Sequence, residues 1–286
     1  MKIAISGASG FIGVNLTSHF EEKGYSVAKL TRSLFQHESN KKLKEALTGV
    51  DIVINLAGAP INHRWSKSYK RTMYDSRIIT TRRIVETINS LEHKPKLLIS
   101  ASAVGYYPTE RCCDEYSSVK GSGFLSDLCE QWEQEARKVS PDVRLAITRF
   151  GVVIANKGGA FEKMTFLMKF KVATIIGPGK QYFPWICIDD LKMAMEHIIN
   201  DPSMSDVVNL VTPEQVTNRE FTKTVAGGRK CFMAITIPKF FFAILLGEAS
   251  SFITEGQCVV PRKLLDSEFS FRVPTVIKLV DRLYNK

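Results

Sequence analysis

Seven residues near the N-terminus, Gly7-Ala8-Ser9-Gly10-Phe11-Ile12-Gly13, constrain this chain more than any others. They follow a short apolar run, Lys2–Ser6, and open a segment, Phe11–Lys23, that is predicted to be helical. A strand that turns at once into a helix needs a residue tolerant of tight backbone geometry, and Gly7 supplies it. Without a Cβ, Gly10 lets the backbone approach a diphosphate, and Gly13 lets the helix lie close on a sheet. The helix start then offers unpaired N–H groups and a positive dipole end to an anion. Strand before and helix after give the three glycines a meaning that a chance triplet lacks.

The same alternation continues down the chain. Strands are predicted at Lys2–Ser6, Ser26–Leu30, Ile52–Leu56, Lys96–Ser100, Leu145–Arg149 and Val207–Val211, with helices at Phe11–Lys23, Lys67–Leu91 and Phe124–Val139. Apolar runs alternating with longer amphipathic segments indicate βαβ units around a parallel sheet. The expected architecture is therefore α/β: a doubly wound Rossmann sheet. Residues 1–155 form its dinucleotide-binding part, and about 185–212 complete the sheet. From about Ala155 the alternation loosens, so 156–286 should be mainly a smaller, interleaved C-terminal substrate lobe. The 286 residues, 44% of them hydrophobic, suffice for such a body.

The second strand ends in Leu30-Thr31-Arg32, with Ser33 next. Dinucleotide sites selective for NAD place an acidic residue here, on the ribose 2′-hydroxyl. Thr31 stands there instead, and the Arg32 guanidinium suits a 2′-phosphate through charge-assisted hydrogen bonds. The expected cofactor is NADP(H) rather than NAD.

With Gly7–Gly13, Asn55-Leu56-Ala57-Gly58 and Ser100-Ala101-Ser102-Ala103-Val104-Gly105-Tyr106-Tyr107 in view, the chain resembles an extended short-chain dehydrogenase/reductase. Arg64-Trp65, Asp75-Ser76-Arg77, Gly158-Gly159-Ala160, Trp185–Leu191 and Gly256–Leu265 narrow the likeness to its epimerase-like, cell-division-inhibitor-like branch. The resemblance spans essentially the whole chain. It implies cofactor contacts from Gly7, Ser9, Gly10, Phe11, Ile12 and Gly13, and from Leu56, Ala57, Gly58 and Ala59 near the adenosine. Arg77 and Thr81, one helical turn apart, would face the cofactor, Arg77 meeting a phosphate. Ser100 would lie behind Ser102, and Gly151 and Val152 beside the nicotinamide. It implies no particular substrate, because that branch has no well-defined reaction.

Chemistry in the wider superfamily uses a Tyr acid/base, a Lys four residues on that lowers its pKa, and a Ser that bonds the substrate oxygen. Ser102 is the natural serine. Tyr116-Ser117-Ser118-Val119-Lys120 spells the pair, but Gly121 and Gly123 follow at once and weaken any helix there. Alignment by the helix from Phe124 instead puts Phe124 and Leu128 at the two places, and neither moves a proton. Tyr106 or Tyr107 could donate one, although a phenol without a matched lysine stays near a pKa of ~10. Ser102, Tyr107, Tyr116 and Lys120 are the catalytic candidates. Three readings follow: an NADP(H)-dependent oxidoreductase, a nucleotide-sugar epimerase or dehydratase, and a non-catalytic, redox-responsive NADP-binding protein.

The net charge of +10 is spread without long basic runs or interleaved aromatics, so a small-molecule substrate is expected and nucleic acid is not. No signal peptide or membrane partner is expected: the most apolar stretch, Ile235–Leu246, is interrupted by Pro238 and Lys239. A cytoplasmic protein is the reading, with a homodimer left open. Within that stretch Phe240–Leu246 is expected in the core, with a partner surface as the alternative, as for the helix Phe124–Val139. The six scattered cysteines suggest reduced thiols and no metal site.

Overall fold

A computed structural model describes residues 1–35 and 40–284. Its strands in chain order are β1 (Lys2–Ser6), β2 (Ser26–Leu30), β3 (Ile52–Asn55), β4 (Leu97–Ala103), β5 (Cys112–Cys113) and β6 (Arg144–Phe150). After them come β7 (Val152–Ile154), β8 (Val172–Ile176), β9 (Trp185–Cys187), β10 (Asp206–Leu210), β11 (Met233–Ile237) and β12 (Cys258–Val259). The helices used below are α1 (Phe11–Glu22), α2 (Asn40–Leu47), α3 (Lys67–Tyr74), α4 (Thr80–Asn89) and α5 (Phe124–Ala136). They continue with α6 (Gly159–Met164), α7 (Ile188–Asn200), α8 (Asn218–Gly228) and α9 (Lys239–Leu246).

Six parallel strands form the central sheet in the order β10-β6-β4-β3-β1-β2. Ile52, Val53 and Ile54 are all buried, as a strand covered on both faces requires. α1 and α7 cover one face, where Leu16, Phe20, Leu191 and Ile198 meet Ile3, Ile5 and Ile54. On the other, Leu43 and Leu47 of α2 and Ile84 and Ile88 of α4 meet Ala4, Val53 and Leu98. The chain leaves β1 for β2 on one side and returns to β3 on the other. The helices that follow β1 and β3 go to opposite faces of the sheet at that switch, leaving a crevice outside the carboxyl ends of the two strands.

Three differences from the sequence expectation matter. The helix predicted over Lys67–Leu91 is interrupted: a π-helical turn, Asp75–Ile79, separates α3 from α4. β4 runs on to Ala103, so Ser102 lies inside a strand, in register with Arg149 of β6, rather than just past its end. Pairing with β6 sustains that extension, since β3 pairs with β4 only as far as Ser100.

The third concerns the cysteines. Cys112 and Cys258 form a disulfide across the paired strands β5 and β12, 146 residues apart in sequence. Strand alternation turns Cys112 outward to its partner and Cys113 inward, where it is buried and free, as are Cys129 and Cys187. The expectation of reduced thiols holds for those residues and for Cys231, and fails for this pair. Thiol titration of the protein purified and unfolded without reductant should find four free groups, rising to six after reduction. Six groups before reduction would contradict the bridge.

Candidate functional site

The Gly-rich turn sits where the switch in strand order opens the crevice. Gly7 adopts φ +69°, and a Cβ there would stand 2.7 Å from the Leu56 carbonyl oxygen. The turn after β1 and the turn after β3 are thus pressed together. A Cβ on Gly13 would come within 2.2 Å of the Gly7 carbonyl, which explains how α1 lies so close to the turn. α1 starts at Gly10 with no side-chain cap and no acidic residue in its first turn. Its first N–H groups have no intrahelical acceptors, and that positive end suits an anion. Ser9 and Gly10 are exposed, Phe11 and Ile12 half-buried.

Phe11 also faces the C-terminal lobe. A Cβ on Gly158 or Gly159 would stand about 3 Å from its ring, so the start of α6 closes against the turn. Across the crevice mouth, Thr31 bonds Ser33 through their hydroxyls at 2.9 Å. Arg32 is exposed at the head of a single 3₁₀ turn and makes no salt bridge among the described residues. No carboxylate stands at the end of β2.

The β3 side is held by a buried amide. Asn55 Oδ1 accepts from Ser6 Oγ at 2.6 Å and from the Ala57 N–H at 3.3 Å, and its Nδ2 donates to Thr81 Oγ1 at 2.7 Å. Thr81 Oγ1 also accepts from Trp132 Nε1 at 2.8 Å. Thr81 has no exposed surface, so its hydroxyl joins β3, α4 and α5. Arg77 comes from the π-helical turn. Its guanidinium donates to the Ala59 and Met73 carbonyls at 2.9 and 3.3 Å and lies 5.3 Å from the Trp132 ring centroid. A Cβ on Gly58 would be 3.0 Å from that guanidinium. Burial pulls the Arg77 pKa down, and no carboxylate partners it. Gly58 and Ala59 are therefore placed by a cation bonded to main-chain oxygens.

At the ends of β4 and β6 the serine is engaged. Ser102, 3% exposed, donates to Glu133 Oε1 at 2.7 Å, and the same carboxylate takes two hydrogen bonds from Arg149, both 2.7 Å. Burial alone would lower the Arg149 pKa, but the Glu133 bonds outweigh it and hold it up. The guanidinium lies 3.6 Å from the Tyr106 ring centroid and 4.6 Å from that of Tyr107. Tyr107 is buried and donates to Asn209 Oδ1 at 3.0 Å; burial pushes its pKa up to about 12, against the pull of Arg149. Tyr106 is half-buried. Ser100 is buried, and its hydroxyl has no partner.

Tyr116 and Lys120 are not gathered into a helical pair. Tyr116 is 65% exposed on a turn, and Lys120 is bonded to Asp127 and Glu130 at 2.8 and 2.7 Å, which raises its pKa. Gly121 and Gly123 do precede the helix, which begins at Phe124. Gly151 and Val152 donate to the Leu210 and Pro184 carbonyls, where the chain passes from the central sheet to β7 and β9. Trp185 is fully buried against Phe221. Asp190 lies in the first turn of α7 and accepts from the Arg272 and Val273 N–H groups.

Sequence reasoning missed Glu133, Arg149 and Asn209. Arg149 and Glu133 side chains are 4% and 5% exposed, so loss of either strands a buried charge. Arg149→Met should cost about 3–5 kcal/mol in denaturant unfolding, and adding Glu133→Leu should recover much of it. A loss under about 1 kcal/mol for the single variant would contradict the pairing.

Against known families, residues 3–210 match the NAD dependent epimerase/dehydratase family, and 237–281 match a domain of unknown function, DUF1731. The Arabidopsis thaliana protein named epimerase family protein SDR39U1 homolog, chloroplastic, is 32% identical, over 95% of this chain and 83% of that one. Bacillus subtilis epimerase family protein YfhF is 33% identical, over 95% and 94%. The crystal structure of human epimerase family protein SDR39U1 (isoform2) with NADPH covers both chains fully at 28% identity, with a TM-score of 0.92.

Proposed function

The chain belongs to the NAD dependent epimerase/dehydratase family, and from that premise we propose an NADP(H)-dependent oxidoreductase of the epimerase-like short-chain dehydrogenase/reductase type. The observation that carries the cofactor preference is Arg32, exposed at the end of β2 and without an ion pair among the described residues, where an NAD site would hold a carboxylate. The human relative crystallised with NADPH agrees with it.

The residues present fit the dinucleotide. The Gly7–Gly13 backbone and the uncapped start of α1, with Ser9, Phe11 and Ile12, receive the diphosphate. Thr31 and Arg32 receive the 2′-phosphate, and Leu56, Ala57, Gly58 and Ala59 pass beside the adenosine. Arg77 and Thr81 set the shape of that second loop from behind. Gly151 and Val152 carry the wall on the nicotinamide side. When bound, NADPH supplies a hydride.

What remains for the protein is to hold the substrate oxygen and move a proton to it. Ser102 is engaged by Glu133 and Tyr107 by Asn209. Tyr106 is the phenol at the end of β4 that is only half-buried, with the Arg149 cation stacked on its ring. In this reading Tyr106 gives its proton to the oxygen of a small carbonyl substrate, and solvent replaces it. Phe124 and Leu128, standing where the superfamily has Tyr and Lys, are the specific feature behind a non-catalytic, redox-reporting alternative.

Titration with NADPH and NADH tests the cofactor assignment. NADPH should bind at least about tenfold more tightly, and Arg32→Ala should remove the difference while leaving NADH unchanged. Equal affinities in the wild type would sink the preference. Once a carbonyl substrate is found by NADPH oxidation, Tyr106→Phe should lower kcat by about 100-fold or more at unchanged NADPH affinity. Undiminished turnover would remove Tyr106 from the reaction.

A further inference from the structure

The segment Phe240–Leu246, expected in the core, is not there. α9 contains no buried residue, and Phe240, Ile244 and Leu245 are 57%, 69% and 71% exposed. Neighbouring parts of the same lobe also present large apolar side chains: Phe232 is 77% exposed and Phe170 65%. These belong to one body. β8 pairs with β11, the Phe232 N–H donates to the Lys171 carbonyl, and the Lys239 stem at the head of α9 lies against Gly177 at the end of β8. Large exposed apolar side chains gathered on one lobe in this way mark an interaction surface.

Charge identifies what such a surface meets. Residues 163–188 and 221–247, which include β8, β11 and α9 together with buried core positions, contain eight lysines and arginines and no aspartate or glutamate, with Glu162, Asp189, Glu220 and Glu248 at their borders. The other residues hold 31 basic against 29 acidic, so these two stretches account for eight of the chain's ten net positive charges. Among the described residues none of the eight cations forms a salt bridge. The charge is therefore neither dispersed nor internally neutralised. A second copy of the chain would bring like charge against like. A nucleic acid would satisfy the cations but leave Ile244 and Leu245 without apolar partners. A bilayer rich in anionic headgroups satisfies both, with apolar side chains entering the headgroup–acyl boundary and lysine stems reaching back to the phosphates.

We propose that this face of the C-terminal lobe, α9 with β11 and the 3₁₀ turn before β8, docks peripherally on membranes rich in anionic phospholipid. No described helix is long and apolar enough to cross a membrane, so the contact is at the surface. It amends the expectation of no membrane partner, which rested on the lack of a long apolar run. It is independent of the cofactor assignment.

Co-sedimentation of the full chain with vesicles tests it, using phosphatidylcholine alone and phosphatidylcholine with about a third phosphatidylserine. The protein should sediment with the anionic vesicles only, and binding should collapse at high salt. Ile244→Ser with Leu245→Ser should weaken binding about tenfold or more at an unchanged melting temperature, because both side chains are largely exposed. Lys169→Glu with Lys239→Glu should weaken it by a similar factor. No sedimentation with anionic vesicles overturns the proposal, including where the serine pair abolishes self-association or capture of an acidic protein instead. Wild-type sedimentation by both double variants also overturns it, since the contact would then lie elsewhere.

Discussion

The Asn55 side chain, buried at the carboxyl end of β3, uses both ends of its amide at once. It accepts from Ser6 of β1 and donates to Thr81 of α4, which in turn takes the indole N–H of Trp132 from α5. An unsatisfied amide in that position would cost far more than any of these bonds contributes alone, so the four elements settle together. The crevice depends on this arrangement. It fixes the spacing of β1 and β3, and with it the contact between Gly7 and Leu56 that sets the two turns edge to edge. The cofactor loops are short; what positions them lies behind them.

A second buried network organises the other end of the crevice. Glu133 takes all three of its hydrogen bonds from Ser102 and Arg149, and the planar guanidinium can then stack on Tyr106. A lysine in place of Arg149 would present neither the fork nor the flat face. The consequence is a serine committed to structure and a tyrosine backed by a fixed positive charge. In the proposed reading Tyr106, backed by Arg149, takes the part that the superfamily gives to its Tyr and Lys.

Local spacing made the first half of this legible. The Gly-rich turn, the strands and Arg32 were readable because their meaning depends on neighbours within a few residues. Ser102 was legible as a candidate but not in its employment, since Glu133 stands 31 residues further on and signals nothing by spacing. Cys112 was harder still, with its partner 146 residues away and no pattern to announce it. Tyr116 and Lys120 show the converse, a correct spelling without the helix that gives it sense. Phe240–Leu246 failed for a third reason. Apolar composition says that a segment avoids water, and only the folded lobe shows that the described residues leave most of it uncovered, Leu246 alone packing against a core cluster.

The π-helical turn between α3 and α4 carries a consequence of its own. Such a turn amounts to one extra residue slipped into an otherwise continuous helix, which changes the phase of everything beyond it by about 100°. Met73 on one side and Ile84 and Ile88 on the other reach different parts of the interior only because that step lies between them. A single-residue deletion at Asp75–Ile79 would give a more regular helix and a worse protein. With the α4 face kept in the core, Met73 would swing out of its place and Arg77 would lose its approach to Gly58. Length within this stretch is thus held as tightly as the identity of Arg77.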